Sequence, residues 1–174
     1  MTTEERDLCM DLVSGPFRPK GRISKEEFLR RFPSAVEQGR LAARLLEEAC
    51  KNRNADDLRC AFVIGFKFGF SPEQLDSLPP LLDADWHYDH EDIVSILDDL
   101  RSPALVDALY RATQWVPKYL DFDDTRALAG KAIWALGNIG NDEAKERLRA
   151  VAHSGDPVLR EDAEYQLKRL GEAT

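Results

Sequence analysis

Cysteine is scarce in this chain: Cys9, Cys50 and Cys60 are the three in 174 residues. An odd number with no C-x-x-C spacing provides neither a disulfide framework nor a zinc knuckle. It points instead to reduced thiols acting as small apolar residues, as in a cytoplasmic protein. Long apolar runs are missing too. No stretch approaches the ~20 residues of a membrane helix, and Glu4, Glu5 and Asp7 precede any apolar segment, so no secretory signal is expected. Positive charge is in deficit, with 24 Lys and Arg against 32 Asp and Glu, a formal net charge of -8. That balance opposes attraction to nucleic acid or anionic membrane and makes a basic protein the natural partner. There is no Gly-rich phosphate loop, serine nucleophile elbow or Cys-His pairing. Their absence does not exclude catalysis, but it favours a binding module that needs no cofactor.

What the chain has is helical periodicity. Residues 128–140 read Leu-Ala-Gly-Lys-Ala-Ile-Trp-Ala-Leu-Gly-Asn-Ile-Gly. Leu128, Ala132, Ala135, Leu136 and Ile139 recur at helical spacing, with small residues among them for close packing, and Gly140 sits where a left-handed C-cap is needed. Asn141 then caps a second helix over 142–153, whose stripe is Ala144, Leu148, Val151 and Ala152. Upstream, residues 4–13 form a short amphipathic segment with Leu8, Leu12 and Cys9 on one face, stopped by Ser14-Gly-Pro16. Ser24 with Glu27 and Ser34 with Glu37 match capping boxes, Pro33 ends the first of these helices, and Val36, Leu41, Leu45 and Ala49 face inward on the second. Asn54, Ser71-Pro72, Asp89, Ser102-Pro103, Asp124 or Thr125, and Asp156-Pro157 mark further helix starts.

These starts recur with a period of about 30 to 40 residues, the spacing of helical-pair repeats. The final helix repeats the pattern, with Leu159, Ala163 and Leu167 matching Leu128, Ala132 and Leu136. A helical pair whose first member ends Ala-Leu-Gly-x-Ile-Gly resembles a HEAT repeat, of the short variety also found in phycobilin lyases. The resemblance is strong in the pair at 124–153. It is weaker before that, where the motif glycines are replaced by Asp98 and Arg101 or shifted to Gly65 and Gly69. It implies an all-α fold, a right-handed α-solenoid of stacked antiparallel helix pairs. The expected organisation is an N-terminal helical cap over 1–53 and repeats over 54–174 within one compact domain. The pairs fall at about 54–84, 89–116 and 124–153, and the last helix spans 157–170.

In such an array the within-pair turns gather on one edge and the between-pair connections on the other. Two connections, 83–89 and 116–124, are rich in carboxylates and aromatics. Asp85, Trp86, Tyr88, Tyr119, Asp121, Phe122, Asp123 and Asp124 therefore form a candidate protein-binding ridge. The plainer alternative stays open: Trp86, Tyr119 and Phe122 tuck under their own loops while the aspartates cap helices. Trp134 occupies an outward position equivalent to Ser95 and Tyr165, covered by the 116–124 connection or available to a partner.

His87, Asp89, His90 and Glu91 make the one metal-like cluster, although successive residues at a helix start point in different directions. HEAT-fold deoxyhypusine hydroxylases carry two irons on several His-Glu dipeptides, and this chain has one, His90-Glu91. HEAT-like DNA glycosylases need a basic concave surface that the charge opposes. The whole pattern also resembles small bacterial HEAT-repeat immunity proteins. That resemblance implies a cytoplasmic, non-enzymatic antitoxin neutralising a basic toxin domain. The alternatives are a HEAT-fold enzyme or small-ligand or metal-binding protein, phycobilin-lyase-like or built on the His and carboxylate cluster, and an assembly scaffold.

Overall fold

The structure, a computed structural model, describes residues 1–13, 21–32, 40–70 and 72–172. The expected features at Ser14-Gly-Pro16, Pro33, the Ser34 box, Val36 and Ser71 lie outside the described residues. The described chain is all-α: ten α-helices and three short 3₁₀ segments, with no strand among the described residues. Its contacts separate two compact units, Met1–Asp76 and Ser77–Thr174. The first unit thus extends past the expected cap boundary at 53 and includes the helix that starts at Ala55.

In the first unit, α1 (Thr3–Met10) is held by a reciprocal capping box between Thr2 and Glu5, a Thr-x-x-Glu start in addition to those expected. Leu8, Cys9 and Leu12 are all buried. Ser24 accepts from the Glu27 amide at the start of α2 (Lys25–Arg31). Asn54 accepts from the Asp57 amide and caps α4 (Ala55–Phe68), as expected. The long apolar face of α3 (Arg40–Asn52) packs along α4, and α1 crosses the same helix. Phe28 of α2 stacks on Phe32 and Phe68 at 5.1 and 5.5 Å. Asp57 is buried and ionised, because Arg6 Nε donates to it at 2.6 Å. A buried carboxylate so bonded holds its charge, and its pKa lies below the ordinary value. The short α5 (Pro72–Ser77) ends at the division.

The second unit is built round α8 (Ala127–Ile139). Helices α6 (His90–Leu100) and α10 (Pro157–Arg169) pack on it, as do α7 (Val106–Ala112) and α9 (Asp142–Ala152). The small-residue pattern of α8 permits this crowding. A Cβ at Gly137 would lie 2.2 Å from Gln166 Oε1 and 2.9 Å from an Arg169 guanidinium nitrogen, so the bare glycine is what lets α10 close on α8. Leu128, Ala132, Ala135 and Leu136 are buried, as are Leu159, Ala163 and Leu167 of α10. Ile139, expected in the same stripe, is half-buried. Gly140 takes φ 62 at the C-cap, and Asn141 accepts from the Ala144 amide to start α9.

Three helix starts differ from expectation. Residues 103–105 form a 3₁₀ turn and α7 begins only at Val106, with no side-chain cap from Ser102. Asp89 stands at the N-cap of α6 but makes no side-chain capping hydrogen bond; its backbone N–H donates to His87 Nδ1 at 3.2 Å. Helix α8 starts at Ala127, after Arg126 in the left-handed region at φ 55, because Asp123 has already folded the preceding residues into a turn.

Candidate functional site

The two acidic, aromatic connections belong to the second unit and are tied together by a buried histidine pair. His87 Nε2 donates to the Leu81 carbonyl at 2.9 Å, and its Nδ1 accepts from the Asp89 amide at 3.2 Å. His90 Nε2 donates to the Ala84 carbonyl at 2.8 Å, and its Nδ1 meets the Tyr119 hydroxyl at 3.0 Å. A carbonyl can only accept, so each ring carries its proton on Nε2 and Nδ1 is the acceptor in the neutral form. The two imidazoles stack at 4.2 Å, and the Trp115 ring meets His90 edge-on. Burial, and then the proximity of His90, pushes the His87 pKa down to about 4; burial likewise lowers that of His90.

This arrangement makes the pair a fastener between connections that lie 29 residues apart in the chain. His90 anchors Tyr119, and Tyr88 packs edge-on against Tyr119 at 5.2 Å. The start of the first connection is clamped as well: Arg111 donates through two nitrogens to Asp83, at 2.9 to 3.2 Å. No sequence signal distinguishes that clamp from the other charge pairs. All four ring nitrogens of the pair are hydrogen-bonded, so a metal would have to displace existing partners. Glu91, the fourth residue of that cluster, is ion-paired to Lys131 at 3.0 Å. Among the described residues no three His, Cys, Asp or Glu side chains converge as a metal site does.

The expected contact residues divide by environment. Phe122 is 81% exposed and Tyr88 62%. Asp85, Asp121 and Asp124 are exposed, whereas Trp86 and Tyr119 are half-buried, with Trp86 packed edge-on against His87. Asp123 shapes the loop itself. Its carboxylate accepts from the Thr125 amide and hydroxyl and from the Ala127 amide, at the N-terminus of α8. The Thr125 hydroxyl and then the Ala127 amide lower its pKa, since both favour the charged form.

Trp134 lies elsewhere on the same unit. Its ring is 44% exposed. The groups against it come from α10, with the Tyr165 ring tilted at 5.6 Å and the Arg169 guanidinium over the indole at 5.8 Å. Ser95 of α6 and Trp134 line one open cleft.

Comparison with known protein families, curated proteins and solved structures found no match. No described helix is long and apolar enough to cross a membrane.

Proposed function

We propose that this chain is a short HEAT-like solenoid, a right-handed stack of helix pairs, and acts as a non-enzymatic protein-binding module. Its most concrete form is a cytoplasmic bacterial immunity protein that neutralises a basic toxin domain. Its contact set is Asp85, Tyr88, Asp121, Phe122 and Asp124, with Trp86, Tyr119 and Asp123 holding the loops in place. The observation that carries the reading is Phe122: a phenyl ring 81% exposed, on a loop whose neighbouring carboxylates Asp121 and Asp124 are exposed too. A large apolar side chain left in water on a loop fastened from beneath has the composition of a binding anchor, and the carboxylates add long-range steering. The packing of α6, α8 and α10 with α7 and α9 supports the helical-pair architecture.

The test begins with a tagged bait in the native host, washed at low and high salt. The reading expects one basic protein, encoded beside this chain and retained at low salt. The D85K/D121K/D124K variant should slow its association at least tenfold while leaving the circular dichroism spectrum unchanged, because steering acts on the association rate. Unchanged kinetics in that variant would remove the loop edge from the interface. Recovery of no protein from a host that expresses the neighbouring genes would overturn the immunity reading.

A further inference from the structure

A second surface of the 77–174 unit has a chemistry of its own. An open cleft of about 550 Å³ runs across the outer face of α8, between α6 and α10. Along α8 it is lined by the small residues Ala127 and Gly130 and by Trp134. Carboxylates stand on both sides: Asp98 and Asp99 from α6 and Asp162 from α10, which leans over Gly130 to within 3.3 Å of where a Cβ would be. Lys131 is the cleft's one cation among the described lining residues, and Glu91 already pairs with it at 3.0 Å. Asp98 accepts from Asn138, but no hydrogen bond or ion pair among the described residues engages Asp99 or Asp162. Burial, with Glu161 adding to it, pushes the Asp162 carboxyl above its ordinary pKa, as expected for a carboxylate without a counter-charge.

The Trp134 ring that lines the cleft already carries one cation. Arg169 places its guanidinium over Trp134 while donating to Asn138 Oδ1 at 2.9 Å. Planar guanidinium on an indole face, with hydrogen-bond donors left for oxygen acceptors, is a combination that an ammonium group does not reproduce. We propose that this cleft receives an arginine side chain from a partner protein, its guanidinium against the exposed part of Trp134 and its donors on Asp162 and Asp99. The cleft carboxylates Asp99 and Asp162 are not among the loop-edge contact residues, although Thr125, at the foot of the acidic loop, also lines the cleft.

The experiment is an NMR titration of the ¹⁵N-labelled full chain with a capped peptide alternating glycine and arginine, beside the same peptide carrying neutral citrulline. The arginine peptide should shift the Trp134 indole N–H and the Gly130 amide. The citrulline peptide should bind at least tenfold more weakly. D99N/D162N removes two carboxylates at constant shape and should weaken the arginine peptide at least tenfold, whereas D85N/D121N, an equal change in net charge on the loop edge, should alter it less than twofold. Equal weakening in the two variants would reduce the effect to general attraction for an acidic protein and overturn the proposal. Failure of the arginine peptide to move the Trp134 indole would overturn it as well. Neither result would bear on the loop edge, which is tested by the association kinetics above.

Discussion

His87 and His90 do at the residue scale what a hydrophobic pair could not do in their place. Each turns one nitrogen to a backbone carbonyl and the other to a specific donor, so the first connection is stitched to itself and, through Tyr119, to the second. Buried polar groups are tolerable when every partner is present. The same burial makes the pair sensitive to acid. The folded His87 titrates near pH 4 against an ordinary 6.5. Above pH 6.5 both folded and unfolded states are neutral there and nothing is lost; as the pH falls from 6.5 toward 4 the unfolded state takes up the proton first. Stability should therefore drop by about 3 kcal/mol over that window from His87, and His90 acts in the same direction. Urea unfolding at pH 7.5 and pH 4.5 measures the drop. In H87Q, which keeps a donor for the Leu81 carbonyl, the drop should be smaller.

Glycine and left-handed residues set the geometry at the scale of the element. Helices α6, α8 and α10 are each followed by a left-handed residue close to the end: Arg101 at φ 47, Gly140 at φ 62 and Gly171 at φ 78. Arg101, at the C-cap of α6, adopts the left-handed conformation that glycine favours, against the steric cost of a Cβ. R101G should raise stability by about 1 kcal/mol, and G140A should lower it by a similar amount, both read from thermal unfolding. Inside α8 two glycines with the same helical backbone should behave differently. G137A drives a methyl into Gln166 and Arg169 and should cost about 1–3 kcal/mol. A methyl at Gly130 meets only the end of the Asp162 side chain at 3.3 Å, so G130A should be neutral or stabilise the helix by up to about 1 kcal/mol.

Charge acts at the scale of the whole molecule. With a formal net charge of -8, the chain repels polyanions beyond whatever any one surface does, over a distance set by the Debye length of about 8 Å at physiological salt. In co-sedimentation at 150 mM salt it should not be retained on phosphatidylserine vesicles or on duplex DNA. Retention on either would require a local basic surface. A basic partner should show the reverse dependence, with an association rate that falls steeply as salt rises.

How much of this could be read from residue order follows from the range of the forces involved. The all-α class, the starts at Ser24, Asn54, Asn141 and Asp156, the buried stripe of α8 and the left-handed Gly140 were legible, because each depends on contacts within a turn or two of helix. The late start of α8 and the delayed, shortened α7 were not, since a 3₁₀ turn and an Asp123-centred turn compete with helix by small local differences. Nor was the state of the candidate site. The carbonyls that receive the two histidines lie six residues back and Asp123 bonds two and four residues on, but irregular turns bring these groups together and leave no periodic signal, and Tyr119, the remaining partner, is 29 residues away. The packing of α10 on Gly137 decides where the face of Trp134 is covered. Composition placed acid and aromatic residues in the same loops, but folding determined which of them remained in water.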